Sequence, residues 1–311
     1  MRFLHDETER DGHTLDVLTD DENGLRIEIT RRGAEIVSLA RRDAQGAWTG
    51  FLYRDGDLTR AAEGWNNHAT VMGYYLHRLK NERTTYRGHE VCGGTHSFLR
   101  HKDFAAPQII VENAASLTYR IVPEQIAPEE YPFEVACALT YALEHGKLRV
   151  TFQFDNLEPE LESHVSFGLH PGFAAKTFDS ARVLMPAGDY VRHLAPGNFL
   201  SGETVEFHHD GGAIPFSHDE LPGSILLELK NVPAPIFRFE DAAGWRRIDL
   251  DFREAPYVTL WSDGHAFVCV EPCWGLPDHH EQRRFEEKLG IQTIPAGGLL
   301  TASFTIAPHL A

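Results

Sequence analysis

Regular alternation of apolar and polar residues constrains this chain most, and its longest run lies between residues 133 and 154. Large apolar side chains occupy odd positions from Phe133 to Leu143. After a turn at residues 144–147, they occupy the even positions from Leu148 to Phe154. A period of two is that of a β-strand with one buried face, so the segment predicts a long antiparallel hairpin.

The same period recurs along most of the chain, with 26 glycines and 17 prolines available for the turns. No segment keeps a helical period over three turns, and the best short helix candidate is residues 280–289. Short strands separated by turn residues predict an all-β fold, a large antiparallel β-sandwich, which we take as one domain over residues 1–311. The other predicted strands cover residues 25–29, 117–121, 165–169, 236–239, 248–252, 257–261, 266–271 and 299–306.

Composition argues against several classes of function. The formal charge of −17 disfavours nucleic acid and anionic membranes as partners. The chain has no apolar run of about 18 residues and no visible signal peptide, so we expect a cytoplasmic protein, as a monomer or homodimer. No glycine-rich phosphate loop follows a strand and opens a helix, so we expect neither a dinucleotide nor ATP. The cysteines fit neither a zinc site nor a disulfide set, which favours buried thiols at Cys92, Cys137, Cys269 and Cys273.

A predicted strand that ends in a carboxylate lies at residues 266–271. Its apolar run stops at Glu271, and Pro272 follows, which cannot donate to a sheet ladder, so the strand is expected to end or bend there. A carboxylate in this setting, close to the indole of Trp274, is poorly solvated and suited to acid–base catalysis. The alternative is a strand-end glutamate that is solvated or paired with an arginine, and this stretch alone leaves both open.

His170 ends a second predicted strand and is also followed by a proline. Ser166 and Gly168 share its face of the strand, so small residues lead to one imidazole, as on a concave binding surface. The alternative is a histidine that only bonds a neighbouring loop.

Two further candidates lie earlier in the chain. His96 follows Gly93 and Gly94, which permit a backbone course closed to other residues and a close approach to a ligand. Arg78 lies among aromatic residues and is able to form forked hydrogen bonds to hydroxyl groups. An ordinary turn and a surface arginine are the alternatives.

Two other kinds of catalytic site are disfavoured. The clusters at 208–210 and 278–281 hold metal-capable residues, but neighbours on a strand point to opposite faces, so we expect no metal. No Gly-x-Ser-x-Gly elbow marks a serine hydrolase. Arginine, histidine and aromatic residues suit a sugar, which offers hydroxyls and apolar C–H faces. The candidates for stacking on a sugar are Phe98, Phe173, Trp261 and Trp274.

Taken in order, these motifs resemble the aldose 1-epimerase (galactose mutarotase) family, in particular its divergent bacterial branch. The resemblance runs from Arg78 through the loop of His96, the Phe-Gly-x-His-Pro strand and the Val-Glu-Pro strand, to the last strand. It implies a galactose mutarotase-like sandwich that interconverts the α and β anomers of an aldohexose without a cofactor. It also implies that Glu271 is the general base, His170 the general acid and His96 a second active-site histidine, with Arg78 binding substrate.

The sequence departs from the family at three places. Ser97 follows His96 where the family has glycine, Cys273 stands where tryptophan is common, and the sugar-binding aspartate has no clear match. Asp219 is the nearest candidate for that aspartate, and Phe98 and Trp274 are the expected stacking residues. These differences bear on the identity of the sugar more than on the reaction.

The implied reaction sets a geometric requirement. Ring opening needs a base for the C1 hydroxyl proton and an acid for the ring oxygen, so we expect an ionised Glu271 and a protonated His170 facing one cleft, roughly a sugar ring apart. Two rival functions stay open. One is a non-catalytic sugar-binding protein on the same fold. The other is a carbohydrate hydrolase or lyase, and a hydrolase normally needs a second carboxylate.

Overall fold

Strands account for nearly all of the regular structure in a computed structural model that describes residues 2–59, 64–112, 114–241 and 246–310. In chain order, the strands of the described residues are β1 (Phe3–Arg10), β2 (His13–Asp20), β3 (Leu25–Thr30), β4 (Glu35–Arg42), β5 (Trp48–Gly50), β6 (Ala69–Met72), β7 (Arg83–Tyr86), β8 (His89–Cys92), β9 (Gln108–Val111), β10 (Ala115–Ile121), β11 (Val135–Glu144), β12 (Lys147–Asn156), β13 (Ser163–Val165), β14 (Phe167–Ala174), β15 (Ala181–Met185), β16 (Gly188–His193), β17 (Thr204–His209), β18 (Gly212–Ala213), β19 (Ile225–Asn231), β20 (Ile236–Asp241), β21 (Arg246–Asp251), β22 (Tyr257–Trp261), β23 (Phe267–Trp274), β24 (Gln292–Ile294) and β25 (Leu299–Leu310).

Antiparallel pairing joins most of these strands into two large sheets. One has twelve strands in the order β1-β2-β3-β4-β6-β14-β23-β22-β19-β16-β17, with β5 beside β4. The other has nine, in the order β18-β15-β20-β21-β25-β12-β11-β10-β9, and β13–β24 and β7–β8 form two small pairs. The predicted hairpin is β11–β12, which pairs from Val135 opposite Asn156 to Glu144 opposite Lys147. The predicted all-β class is confirmed.

The core lies between the two large sheets and is rich in aromatic rings. Phe152 and Phe154 of β12 reach across to Phe167 of β14, with ring centroids 5.0 and 4.8 Å apart. Trp274 of β23 stacks on the same Phe167 ring at 5.0 Å. Burying such large rings supplies much of the favourable free energy of folding.

Alternation along β14 and β23 assigns each side chain either to this core or to the opposite face of the twelve-stranded sheet. Leu169 and Val270 belong to the core cluster. Their chain neighbours His170 and Glu271 therefore point to the outer face, because successive strand residues alternate. These two strands are hydrogen-bonded neighbours, so the two titratable groups are brought to one place.

The prediction that proline ends the two strands is wrong. β14 continues beyond Pro171 and β23 continues beyond Pro272. The β14–β23 ladder pairs Gly168 with Cys273 and resumes with Gly172 opposite Cys269, leaving the residues between them unpaired. Both prolines lie in this interruption, so their missing N–H groups cost no hydrogen bond between these two strands.

The helix predicted at residues 280–289 is also wrong. Only Phe285–Glu287 forms a single 3-10 turn there. The preceding backbone is tied to β7 instead, because the Thr84 hydroxyl donates to the Arg283 carbonyl and the Gln282 amide donates to the Arg83 carbonyl. Across the described residues, no helix is long and apolar enough to cross a lipid bilayer. The other 3-10 turns are Lys80–Glu82, Leu99–His101, Pro123–Gln125, Phe178–Ser180, Pro196–Asn198 and Leu221–Gly223.

Close approach of β14 to β23 predicts a sharp cost for a side chain at Gly168. A Cβ at this position would lie 2.4 Å from the Pro272 carbonyl oxygen, which is backbone and has little freedom to move. We expect Gly168→Ala to lower the free energy of unfolding by about 1–3 kcal/mol, as overpacking typically does. Urea unfolding followed by fluorescence measures this change.

Gly94→Ala is the matched control, because a Cβ at Gly94 meets no atom within 4 Å. Equal stability of the two variants would contradict the tight approach of the strands.

Candidate active site

A cleft of about 330 Å³ opens on the outer face of the twelve-stranded sheet. β14 and β23 carry its acid–base residues, and β6 and β22 flank them on either side. The segments after β6 and β8 add further polar groups. Of the residues predicted from the sequence, the structure places five at this cleft: Arg78, His96, His170, Trp261 and Glu271.

The carboxylate of Glu271 and the imidazole of His170 form a close buried pair. His170 Nε2 lies 3.3 Å from Glu271 Oε1, and the two side chains are 8% and 1% exposed. Neither oxygen of Glu271 has a hydrogen-bond partner among the described residues. Both groups face one cleft, as predicted from the sequence. Their separation is smaller than the predicted width of a sugar ring.

Burial sets the protonation of this pair. Desolvation raises the pKa of Glu271 well above its usual value. Desolvation, with lesser contributions from His77 and Arg100, lowers the pKa of His170 to about 3. A low-dielectric site penalises both charged forms, so burial works against the ionised Glu271 and protonated His170 that the reaction requires.

His96 is held in one tautomer by the neighbouring segment. Its Nδ1 accepts the backbone N–H of His77 at 3.2 Å, so the ring proton of the neutral imidazole lies on Nε2. Burial, together with His170 and His77, lowers the pKa of His96. Its ring meets that of His170 edge-on, with centroids 5.2 Å apart. His96 is therefore a neutral hydrogen-bond donor beside the acid–base pair.

Ser97, where the family has glycine, adopts a left-handed backbone with φ of 63°, directly after His96 at 64°. Such conformations are costly for non-glycine residues. The Ser97 hydroxyl oxygen accepts the backbone N–H of Tyr74 at 3.1 Å, and the His96 N–H donates to the His77 carbonyl at 2.7 Å. These bonds hold the strained loop in place.

Two tryptophans form the apolar part of the cleft. Trp65 stacks on the His170 ring at 5.0 Å, and Trp261 meets the same ring edge-on at 5.4 Å. Trp261 was among the sequence candidates for stacking, whereas Trp65 was missed. The residue that makes room for Trp65 is Gly172, because a Cβ on Gly172 would lie 2.4 Å from the indole of Trp65.

The other aromatic candidates lie elsewhere. Phe98, Phe173 and Trp274 are buried in the core and do not line the cleft. Phe98 packs on Tyr74 with centroids 4.9 Å apart. Their positions follow from strand parity and loop course, so the structure offers Trp65 and Trp261 in place of Phe98 and Trp274 for stacking on a sugar.

Asp219 is exposed in the turn before Leu221–Gly223 and does not line the cleft. Glu271 is the only carboxylate among the described residues that line it. Asp219 is therefore not placed to contact a ligand bound in this cleft.

Several side chains that can form hydrogen bonds line the cleft, among them Arg78, Asn67 and Thr70. Arg78 is exposed at the rim, and within the described structure its guanidinium makes no hydrogen bond or ion pair. Asn67 accepts a hydrogen bond from Arg100 at 3.4 Å, and Thr70 of β6 lies at the same cleft. Donors and acceptors at fixed positions beside aromatic rings suit a polyhydroxylated ligand.

Metal-capable atoms also meet at the floor of the cleft. Ligand atoms of His170, Cys269 and Glu271 all lie within 4.8 Å of one another. Metal ligation requires the thiolate and the carboxylate, whereas burial raises the pKa of both Cys269 and Glu271. A metal ion bound by this trio would have to displace the protons of both buried groups. Of the other candidate histidines, His208 bonds Asp189 on the surface.

The fold and the site together define a β-sandwich protein with an acid–base pair at the floor of an open cleft. The chain belongs to the aldose 1-epimerase family, whose family model matches residues 16–272. Among curated relatives, it is 24% identical over 284 residues to the plasmid-borne protein LacX of Lactococcus lactis subsp. lactis, covering 83% of this chain and 87% of LacX.

Solved structures share the fold over almost the whole chain. A galactose mutarotase related enzyme from Lactobacillus acidophilus matches with a TM-score of 0.80 and 23% identity, covering 98% of this chain and 97% of that one. A galactose mutarotase-like protein from Lactobacillus casei ATCC 334 matches with a TM-score of 0.76 and 22% identity, covering 98% and 100%. At these identities the likeness establishes the sandwich fold.

Burial of Glu271 predicts a pH-dependent penalty on stability. Its pKa is raised in the folded protein, so the unfolded chain ionises first and wild-type stability falls as the pH rises above the ordinary value of 4.5. Glutamine does not ionise, so we expect Glu271→Gln to raise the melting temperature at neutral pH by on the order of a few degrees. The gain should shrink as the pH approaches 4.5.

Thermal melts of both proteins between about pH 4 and pH 8 measure this difference. Glu206→Gln, at an exposed position on β17, is the matched control and should leave the curve unchanged. Parallel curves for wild type and Glu271→Gln would show that the buried carboxylate ionises without cost.

Proposed function

We propose that this protein is an aldose 1-epimerase, an isomerase that interconverts the α and β anomers of an aldohexose by acid–base ring opening and closure, without a cofactor. The observation that carries the proposal is the buried pair of Glu271 and His170, 3.3 Å apart at the floor of a cleft. Unpartnered carboxylate oxygens in such a place are ready to exchange protons with a ligand. Membership of the family supports the same reaction.

The short separation suits the chemistry better than a sugar-ring width does. The C1 hydroxyl oxygen and the ring oxygen are bonded to the same carbon, so the two proton-transfer partners must lie close together. Glu271, in its ionised form, takes the proton of the C1 hydroxyl while His170 protonates the ring oxygen, and the C1–O5 bond breaks. Rotation about C1–C2 then exposes the other face of the aldehyde, and closure reverses both transfers.

A single proton shared by the pair is enough for this cycle. In one arrangement the proton is on the carboxyl group of Glu271 and the imidazole of His170 is neutral. In the other, Glu271 is a carboxylate and His170 an imidazolium. The two differ only in the position of that proton. Burial by itself favours the first arrangement. Polar groups of a bound sugar and the Nε2–H of His96 would solvate the charge and favour the second, which is the reactive one.

The surrounding side chains match a sugar. Trp65 and Trp261 offer aromatic surfaces for the apolar C–H face, and Arg78 and Asn67 offer polar groups for hydroxyls. The single cleft carboxylate of the described lining does not meet the usual need of a hydrolase for two. A non-catalytic sugar-binding protein would keep the same walls, so turnover has to be measured directly.

Anomer exchange should depend on both members of the pair. We expect Glu271→Gln and His170→Asn each to lower kcat by about 10²- to 10⁴-fold, the usual contribution of general acid–base catalysis. Exchange NMR on a panel of aldohexoses measures the rate against the uncatalysed background.

Glu206→Gln again serves as the control and should keep the wild-type rate. Wild-type protein that binds a sugar by calorimetry but leaves exchange at the uncatalysed rate would make it a binding protein. Full activity of Glu271→Gln would instead remove Glu271 from the mechanism.

Stacking on Trp65 should contribute mainly to binding. We expect Trp65→Ala to raise KM about tenfold, because truncation removes both a wall for the sugar and the ring that packs on His170. Trp65→Phe keeps an aromatic face and should recover most of the loss. Unchanged KM in Trp65→Ala would place the sugar against another part of the cleft.

A further inference from the structure

Asp278 closes the segment that follows β23, and its carboxylate takes no part in the proposed proton transfers. It is 1% exposed. Its Oδ2 accepts the backbone N–H of Lys80 at 2.9 Å, and its Oδ1 accepts that of His279 at 3.0 Å. Its own N–H donates to the Arg78 carbonyl at 3.2 Å. Asp278 therefore binds the backbone on both sides of residue 79.

Lys288 supplies the countercharge from the turn after β23. Its Nζ lies 4.0 Å from Asp278 Oδ1, both side chains are 1% exposed, and within the described structure Nζ has no hydrogen-bond partner. A fully buried carboxylate and ammonium are expensive to keep, and replacing such a pair by apolar residues is often neutral or stabilising. A contribution to stability therefore does little to explain why Asp278 and Lys288 are buried together, and this points to a role at the cleft.

The segment tied down by Asp278 leads directly to the cleft. Arg78 lies at the cleft rim, between the two backbone bonds to Asp278 and the contacts of His77. His77 and His96 are joined by two hydrogen bonds, from the His77 N–H to His96 Nδ1 and from the His96 N–H to the His77 carbonyl. His96 in turn packs on His170.

These contacts link the segment that follows β23 to the cleft. β23 carries Glu271 at the cleft, and seven residues further along the chain Asp278 fixes the segment of Arg78 and, through it, His96. We infer that Asp278 is a positioning residue, with Lys288 as its counter-ion, and that it sets where Arg78 and the Nε2–H of His96 meet the sugar. The inference rests on the proposed function for the identity of the ligand.

A double-mutant cycle between Asp278 and Arg78 tests this role, with D-galactose as the probe and both Kd and KM measured. Arg78→Met should weaken galactose binding about tenfold, the scale of one lost charge-assisted hydrogen bond. Asp278→Ala should weaken it by a similar factor when Arg78 is present. In the Arg78→Met background it should add clearly less than this factor, because the part of its effect that acts through Arg78 is already lost and only the part through His96 remains.

A variant that loses both buried charges together avoids the destabilisation caused by one unpaired buried charge. Asp278→Ala combined with Lys288→Met leaves no unpaired charge in the interior and should give the same pattern in the cycle. Asp249→Ala removes an ion-paired carboxylate from the other large sheet and should change neither Kd nor KM. Asp278→Glu keeps the charge and should recover part of the binding.

The state of His96 gives a readout that needs no sugar. In the wild type, the ¹⁵N chemical shift of Nδ1 should report an unprotonated nitrogen that accepts a hydrogen bond, and Asp278→Ala should shift it towards a mixture of tautomers. If the effects of Asp278→Ala and Arg78→Met multiply independently, or the His96 signal is unchanged in a folded variant, the positioning role is overturned. If the wild type leaves anomer exchange at the uncatalysed rate, but the Kd values still show the expected coupling between Asp278 and Arg78, only the proposed function is contradicted.

Discussion

The interrupted pairing between β14 and β23 is the constraint on which the rest of the structure depends. The two strands pair at Gly168 and again at Gly172, and Pro171 and Pro272 lie in the gap between these pairs, where their missing N–H groups cost no hydrogen bond between the two strands. His170 and Glu271 lie in this same gap, buried and 3.3 Å apart. One irregularity of a ladder thus provides both the place and the dry environment for an acid–base pair.

That environment has an energetic cost that the remainder of the sandwich offsets. Carboxyl and imidazole groups without protein partners destabilise the folded state, and activity commonly depends on such groups. The aromatic core between the sheets is built around Phe152, Phe154 and Phe167. It lies on the opposite face of the twelve-stranded sheet from the cleft, and these residues do not line the cleft. Stability and chemistry are therefore separated by the thickness of one sheet.

Local pattern was enough to predict much of the fold and part of the site. Alternation in β11 and β12 is a property of neighbouring residues, and His170 and Glu271 could be paired because each is a titratable residue that ends a predicted strand and precedes a proline. The strand ends at Pro171 and Pro272 were predicted wrongly because both prolines lie where the β14–β23 ladder is unpaired, and this gap depends on register, which the local pattern does not give. Trp65 and Asp278 were missed as site residues because their roles depend on contacts more than 100 and nearly 200 residues away along the chain.

Strand parity has a consequence for how a protein of this kind can change over evolution. On β14 and β23, side chains alternate between the two faces of the sheet, with Leu169 and Val270 in the core and their neighbours His170 and Glu271 at the cleft. Deleting one residue from either strand would exchange the two sets beyond that point, placing imidazole or carboxylate among phenylalanines. Point substitutions and changes of loop length are therefore the accessible routes to a new sugar specificity, while the lengths of these two strands are held constant.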